Sequence, residues 1–442
     1  MKLKYPLLLL CLLGFCISQN TTAQTTGCNS SYSRFGMGLL KDQTNSYNRA
    51  MGGVAQALRS GNRVNYLNPA SNSAVDSLTF LFDVGMNLQR TRMVQGDLHK
   101  GVNNTSFDFA TAAFRLRKHL GMTLGFTQYT DVGYDFTQET IVGQDLTTGE
   151  LITSPAAYGG DGGLHLAFMG IGWEPFKGFS FGANIGLLWG SINHEITTSY
   201  MQNNVITTSD GNITTVYEAS LLTWKGDVGV QYQTLLNATN RLTLGATVGI
   251  GHKIKREATY YSSNLSESSA DLIIQSVPDA FELPMTYQFG VAWEHAERLL
   301  LAVDAGWEQW GKCSAPVFDK YTGEYKTTTD AYMNRLRINL GAEYVPGRYD
   351  RPYQRRINYR FGAFYSSPYL KVNGYDGPKE FGLTAGVGLP ITNIINNRSY
   401  INVGLQWTHR SASAASLITE NVMSINIGLT FNERWFMKWK FK

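Results

Sequence analysis

The sequence predicts an all-β fold, a transmembrane antiparallel β-barrel of about 14 strands. Three observations lead to this prediction. Segments of about ten residues alternate apolar with small or polar side chains from Ser77 onward, as in residues 336–344 and 401–408. The connections between these segments alternate between short and long. The chain is also rich in glycine and in aromatic residues. A strand with lipid on one side and a lumen on the other requires this period of two.

The strand-like segments can be placed one by one along the chain. Their number is even, which brings both ends of a bacterial single-chain barrel to the periplasmic side. The predicted segments are residues 77–93, 105–117, 120–136, 164–174, 179–196, 217–235, 241–259, 281–294, 299–310, 334–345, 356–366, 380–390, 400–410 and 421–432.

The connections support the same topology. Short turns follow even-numbered segments, at residues 118–119, 175–178, 237–240 and 295–298. Long stretches follow odd-numbered segments, at residues 137–163, 197–216, 260–280 and 311–333. Short periplasmic turns and long extracellular loops are typical of outer-membrane barrels.

The first residues have the pattern of a secretory signal peptide. Lys2 and Lys4 precede an apolar run, residues 6–17, that is too short to span a bilayer as a helix. Ala23 and Gln24 flank a plausible cleavage point. We therefore expect residues 1–24 to be a signal peptide that is absent from the mature fold, and we expect the mature protein in the bacterial outer membrane.

The composition fits a barrel and argues against several other classes. The chain has 45 Gly, 24 Tyr, 22 Phe and 9 Trp, which suit crowded inner walls and interfacial aromatic girdles. The mean hydropathy of -0.19 is compatible with a barrel, because every second strand residue faces the lumen. The formal charge of +4 is too small to indicate nucleic-acid binding. Cys28 and Cys313 are either bridged or two unrelated thiols.

Residues 25–76 differ from the remainder, since they show no sustained alternation and contain many Asn, Ser, Gly and Arg residues. Residues 48–58 include the small-residue segment Met51, Gly52 and Gly53, which favours a short helix or turn. The motif Asn68, Pro69 and Ala70 follows. We interpret residues 25–76 as a compact N-terminal plug and residues 77–442 as the barrel.

Two further groups of residues stand out within the predicted barrel. The period of strand 3 breaks near Asp131 and Gly133, which makes this position a candidate kink. Several charged side chains fall at lumen-facing positions, where they form either a polar track or anchor network for a plug, or an ordinary solvated wall. They are Asp83, Asp227, Asp304, Glu308, Arg337, Glu343 and Arg360.

The Asn68-Pro69-Ala70 motif, preceded by residues 50–57 and followed by about 14 strand-like runs, resembles the FadL-type family of long-chain fatty-acid outer-membrane transporters. That family carries an Asn-Pro-Ala motif at the end of an N-terminal plug. The resemblance implies a barrel occluded by a plug, or hatch, and a porin-like role in lipid transport. Hydrophobic ligands would leave sideways through the wall. No carboxylate-binding site carries over residue by residue.

Barrels with the same plug signature also act as shuttles in the type IX secretion system. The alternative to passive uptake is therefore an interaction barrel, either a secretion shuttle with a secreted protein partner or a surface scaffold. Expected partners are outer-membrane lipid, a hydrophobic small-molecule ligand and the barrel-assembly machinery, which would read the aromatic C-terminus, residues 431–442.

Catalysis is not expected from the motifs. The sequence has no Gly-x-Ser-x-Gly pattern, no Walker-type loop and no paired-cysteine metal pattern. We therefore predict a non-enzyme without catalytic residues, metal or cofactor. An ester-hydrolysing barrel is the weakest of the three hypotheses.

Overall fold

The computed structural model describes residues 29–433, apart from residues 78, 145–150, 200, 203–204, 207–211, 267–268, 320–323, 373, 392–398, 413 and 415–416. The predicted signal peptide and Cys28 lie outside the described residues, as do residues 434–442 of the C-terminus. Within the described part of the chain, no helix is long and apolar enough to cross a bilayer.

The chain forms one closed antiparallel barrel. The wall strands, numbered 1 to 14 in chain order, are Phe80–Gln95, Leu98–Arg117, Leu120–Gln128 with Thr130–Gln144, Leu151–Phe176, Phe179–Ser199, Asn212–Leu235, Asn240–Gly249 with Ala258–Ser266, Ser269–Val277 with Thr286–His295, Leu299–Glu308, Arg335–Tyr344, Asn358–Ser366, Lys379–Pro390, Tyr400–Ser411 and Thr419–Glu433. Strand 1 pairs with strand 14 from Phe80 opposite Glu433 to Val94 opposite Thr419, which closes the barrel.

The sheet contains 18 hydrogen-bonded segments. One of them, Leu39–Leu40, lies inside the barrel, and strands 3, 7 and 8 each consist of two segments. The wall therefore has fourteen strands, which confirms the predicted fold class.

The alternation of side chains follows the wall as the barrel requires. In strand 10, Leu336, Ile338 and Leu340 point outward and are exposed, whereas Arg335 and Glu343 point inward and are buried. The outward set gives an apolar surface that suits lipid. The inward side chains contact polar groups in the lumen, and these partners compensate for the burial of charge there.

Several stretches expected to be loops are strands instead. Strands 1 and 2 continue to a tight turn at Gly96 and Asp97, and strands 3 and 4 extend far beyond residues 136 and 164. The physical reason is that both faces of a hairpin are wet beyond the bilayer. Alternation then disappears from the sequence while the backbone pairing continues.

Smaller elements complete the fold. Inside the barrel, the N-terminal segment, residues 29–76, contains the 3₁₀ helices Ser31–Arg34 and Pro69–Ala74 and the helix Ser46–Arg49. The other helices are Trp310–Lys312 and Tyr353–Arg356. Short strand pairs are Met201–Gln202 with Val205–Ile206, His252–Ile254 with Phe281–Leu283, Ala315–Asp319 with Glu324–Thr328, and Lys371–Val372 with Tyr375–Asp376.

Candidate functional site

The Asn68-Pro69-Ala70 motif forms the start of a 3₁₀ helix that packs on the inner wall. Asn68 is fully buried, and its side-chain oxygen accepts a hydrogen bond from the Ala70 backbone N–H at 3.1 Å. Its amide group donates to the carbonyls of Gln56 at 2.8 Å and Val230 at 3.2 Å. Pro69 occupies the first helical turn, where the absence of an N–H costs nothing. Asn68 therefore caps the helix and also ties it to strand 6.

Glycines in the wall let this helix approach at backbone distance. A Cβ atom added to Gly182 of strand 5 would lie 2.2 Å from the carbonyl carbon of Pro69. One added to Gly121 of strand 3 would lie 1.9 Å from the carbonyl oxygen of Asn72. Any side chain at either position would displace the helix or the wall.

The Met51-Gly52-Gly53 segment packs against the opposite wall. Met51 is fully buried, and Gly52 and Gly53 have φ angles of 67° and 85°, a region that favours glycine. The Gly52 N–H donates to the hydroxyl of Thr384 on strand 12 at 2.8 Å. The segment therefore makes a tight left-handed turn against strands 10 to 12.

The predicted lumen-facing charges have partners in the N-terminal segment or on the wall. Glu343 accepts from Arg63 at 2.9 Å and from Arg360 at 2.8 Å, and all three side chains are buried. Both guanidinium groups also lie over the Tyr47 ring, 4.0 Å and 4.7 Å from its centroid. This Tyr47–Arg63–Glu343–Arg360 cluster joins the segment to strands 10 and 11.

The other five charges are distributed around the lumen. Asp304 accepts from the backbone N–H groups of Ala55 at 2.6 Å and Gln56 at 2.9 Å. Asp83 accepts from Thr430 at 3.0 Å and Ser46 at 3.3 Å. The remaining pairs are Arg337 with Asp42, Asp227 with Lys225, and Glu308 with Arg335.

Several polar residues of the N-terminal segment were not singled out by the sequence. The Arg49 guanidinium pairs with Asp108 of strand 2 and donates to Asn426 of strand 14 at 2.8 Å. Arg59 pairs with Glu174 of strand 4 at 2.9 Å. The available signal was the presence of arginines within a small-residue segment that had no amphipathic period of its own.

Asp42 illustrates the electrostatics of this contact. Burial alone would raise the pKa of its carboxyl, but the neighbouring Arg337, which is hydrogen-bonded to it, lowers that pKa well below the usual range. Asp42 is therefore a firmly held anion at neutral pH.

Strand 3 is interrupted at Tyr129, close to the predicted kink residues. Below the break it pairs with strand 2, from Phe109 opposite Thr127 to Arg117 opposite Leu120. Above the break its second half pairs with strand 4. In the described part of the chain, no pairing joins residues 98–108 of strand 2 to that second half. The wall therefore has a gap between strands 2 and 3.

The N-terminal segment covers this gap from inside. Leu39 and Leu40 pair with Asp131 and Thr130, and Lys41 forms an ion pair with Asp131 at 2.9 Å. The carbonyl of Gly133 accepts from the Ser30 N–H at 3.0 Å.

The start of the segment also reaches the strands on the far side of the gap. The side-chain amides of Asn29 and Asn104 meet at 2.7 Å. The Ser30 hydroxyl donates to Glu420 of strand 14 at 2.7 Å. Residues 29–41 thus bridge the two edges of the gap.

A cavity of about 130 Å³ lies between the N-terminal segment and the wall beside this gap. Its lining contains both apolar and charged residues. The apolar and aromatic ones include Leu40, Tyr66, Leu67, Tyr129, Leu166 and Phe168, and the charged ones are Lys41, Lys225, Asp227, Glu308 and Arg335. An apolar cavity of about 150 Å³ is known to hold one benzene ring, so this space is of the order of a single aromatic ring.

The half of the lumen toward the long loops is packed with apolar and aromatic side chains. Trp310, Tyr332 and Tyr369 form one aromatic cluster there, with ring centroids 5.3–6.2 Å apart. The hairpin formed by Ala315–Asp319 and Glu324–Thr328 folds over this half. Its Tyr325 backbone exchanges two hydrogen bonds of 2.9 Å with the side chain of Gln275.

Among the described residues, no group of three His, Cys, Asp or Glu side chains is arranged to hold a metal ion. Cys313 is a buried free thiol, and burial raises its pKa to about 12. Cys28, its partner in the bridged alternative, lies outside the described residues.

Solved structures with the same architecture include two toluene transporters and a FadL homologue by title. The chain superimposes on the toluene transporter TodX of P. putida with a TM-score of 0.58 at 14% identity, covering 90% of this chain and 100% of that one. A FadL homologue from Pseudomonas aeruginosa gives a TM-score of 0.58 at 10% identity, with 89% and 99% covered. The Ralstonia pickettii toluene transporter TbuX gives 0.57 at 14% identity, with 88% and 98% covered. At such identities the likeness establishes a FadL-type fold.

No curated protein matches the chain in sequence. A family model described as BamG matches residues 4–442, nearly the whole length. The chain therefore belongs to the BamG family.

Proposed function

We propose that the protein is a plugged outer-membrane channel for small hydrophobic compounds, which leave the lumen sideways through the gap between strands 2 and 3. In this proposal residues 1–24 are a signal peptide, residues 25–76 are the plug and residues 77–442 are the barrel. The end with short turns faces the periplasm, and the end with long loops faces outward.

The observation that carries the proposal is the missing pairing between strands 2 and 3. Unpaired backbone N–H and C=O groups within a bilayer cost free energy, and pairing strands 2 and 3 along their whole length would remove that cost. We therefore infer that the gap has a function. A hydrophobic compound that exits there passes from the apolar part of the cavity lining into lipid and never has to cross water.

The size of the cavity bears on the ligand. About 130 Å³ suits a molecule with one aromatic ring. A long-chain fatty acid would need the plug or the packed outer half of the lumen to rearrange. The titles of TodX and TbuX name toluene, which agrees with the smaller ligand.

A reversible cross-link tests the exit route. Leu40 and Thr130 are direct antiparallel partners, and such pairs have Cα separations of about 4.5–5.5 Å, which suit a disulfide. The variant Leu40→Cys/Thr130→Cys, made with Cys313→Ser and Cys28→Ser, should take up radiolabelled toluene in liposomes when reduced. When oxidised, it should lose that uptake.

Val291→Cys/Val303→Cys provides a matched control. These partners lie on strands 8 and 9, and their side chains are exposed on the outer face, on the opposite side of the wall from the plug. Oxidation should leave uptake unchanged in this variant. Equal uptake by the oxidised and reduced Leu40/Thr130 variant would refute the lateral exit.

A second candidate is an interaction barrel, such as a secretion shuttle or a surface scaffold. The packing of Trp310, Tyr332 and Tyr369 in the outer half of the lumen favours it, because no ligand passes without moving these rings. Uptake of toluene and of a long-chain fatty acid no faster than in empty liposomes would support this candidate over the channel.

A further inference from the structure

A second cavity, separate from the one beside the gap, lies at the end of the barrel with short turns. Its volume is about 680 Å³, and it opens between residues 57–63 of the N-terminal segment and the inner wall. Its surface is dominated by charged side chains. We call it the vestibule.

Six arginines line the vestibule: Arg59, Arg63, Arg241, Arg298, Arg348 and Arg356. The first three have carboxylate partners, which are Glu174 at 2.9 Å, Glu343 at 2.9 Å and Glu294 at 3.0 Å.

The other three arginines differ in this respect. Within the part of the chain that the structure describes, Arg298, Arg348 and Arg356 form no ion pair. The Nε atoms of Arg348 and Arg356 are buried without a hydrogen-bond acceptor. A buried guanidinium N–H without an acceptor is costly, so these two side chains are prepared for an anionic partner.

Three of the five carboxylates in the lining already accept from other arginines. They are Glu294, Glu343 and Asp350, the last of which accepts from Arg355 at 3.0 Å. Six guanidinium groups face five carboxylates in the lining as a whole, which leaves the positive sign in excess.

A structured turn holds Arg348 and Arg356 in place. The connection between strands 10 and 11 is closed by a hydrogen bond from the Gly347 N–H to the Arg355 carbonyl at 2.8 Å. The Tyr353 hydroxyl donates to the Pro390 carbonyl at 3.1 Å, and the Arg356 guanidinium lies 5.5 Å from the Tyr353 ring centroid. The backbone that carries both arginines is thus fixed before any ligand arrives, which reduces the entropy lost on binding.

We propose that the vestibule binds an acidic peptide segment of a periplasmic protein through Arg298, Arg348 and Arg356. Guanidinium groups present planar pairs of donors that match carboxylates. Tyr349 stands at the rim with 87% of its surface exposed, and a tyrosine beside arginines is typical of the residues that anchor protein partners. The volume accommodates several side chains. The periplasmic location rests on the orientation proposed above.

Calorimetry on the full-length protein in neutral detergent tests the proposal. The probe is acetylated hexaglutamate, with hexaglutamine as the uncharged comparison and inorganic phosphate as the small-anion comparison. We expect hexaglutamate to bind, hexaglutamine not to bind, and the affinity for hexaglutamate to fall as salt is raised.

Matched variants locate the site. Arg348→Gln/Arg356→Gln should weaken hexaglutamate binding by about tenfold or more. Arg351→Gln, which changes an exposed arginine of the same turn outside the vestibule, should leave it unchanged. An unaltered free energy of unfolding in urea would show that the double variant is folded, and this control does not depend on the channel proposal.

Three results would overturn the proposal. They are the absence of hexaglutamate binding, an equal loss of binding in Arg351→Gln, and binding of phosphate without binding of the peptide. The last result would make the vestibule a small-anion site.

Discussion

Arg63 of the N-terminal segment and Glu343 of strand 10 form a buried ion pair at 2.9 Å, although 280 residues separate them in the chain. The second oxygen of Glu343 accepts from Arg360 at 2.8 Å. The carboxylate therefore holds one cation from the segment and one from the wall. The position of the N-terminal segment therefore depends on the negative charge of Glu343.

We predict that Glu343→Gln loosens the N-terminal segment. The substitution leaves two buried guanidinium groups without their anion, which costs about 3–5 kcal/mol when one partner of a buried pair is removed. The free energy of unfolding in urea, followed by tryptophan fluorescence in detergent, should fall by that amount. Ion conductance in planar bilayers should rise, since a displaced segment opens the lumen.

An exposed pair provides the comparison. Asp350 and Arg355 form an ion pair of similar length, 3.0 Å, but the Arg355 side chain is 65% exposed. Asp350→Asn should therefore change stability by less than about 1 kcal/mol and leave conductance unaffected. Equal effects of the two substitutions would contradict the role given to burial.

The sequence predicts the wall well because a local period determines it. In strand 10 the alternation of Leu336, Arg337, Ile338 and Asn339 is sufficient to assign both faces. The break of strand 3 at Tyr129 falls within a few residues of the position expected near Asp131. Each of these features depends on neighbours in the chain.

The contacts within the lumen could not be predicted from the sequence, because they do not depend on neighbours in the chain. The N-terminal segment has no period, and its ion pairs, such as Arg49 with Asp108 and Arg59 with Glu174, join distant positions. The gap between strands 2 and 3 is a missing pairing, and the amino-acid composition does not show which strands are paired. The arginines of the vestibule without an ion pair are recognisable only once the structure shows that Glu294, Glu343 and Asp350 bind other arginines.

A pair of glycine substitutions tests how closely the Asn68-Pro69-Ala70 helix contacts the wall. Gly182→Ala places a Cβ atom 2.2 Å from the Pro69 carbonyl carbon, so it should cost about 1–3 kcal/mol of unfolding free energy and raise conductance. Gly159→Ala on strand 4 meets nothing within 4 Å and should be neutral or slightly stabilising. A neutral Gly182→Ala variant would mean that the helix does not contact strand 5 so closely.

The Asp42–Arg337 pair predicts a response to acid. Because the folded-state pKa of Asp42 lies below its unfolded value, the pair stabilises the segment at neutral pH, and this contribution is lost as pH falls below about 4. Asp42→Asn should therefore be less stable than the wild type at pH 7, with a difference that shrinks in strong acid. Urea unfolding at a series of pH values measures it. A difference that stays constant with pH would exclude the titration of Asp42 as its source.

Filling the cavity beside the gap tests whether it is the ligand site. Leu67 lines that cavity from the N-terminal segment, and Leu67→Trp adds an indole ring to a space of about 130 Å³. Toluene binding should weaken by about tenfold or more, which corresponds to about 1.4 kcal/mol, because the space for the ligand is already occupied. Leu336→Trp adds the same ring to the exposed outer face and should leave binding unchanged. Calorimetric titration of both variants with toluene measures the change in affinity. An affinity equal to that of the wild type in Leu67→Trp would place the ligand elsewhere in the lumen.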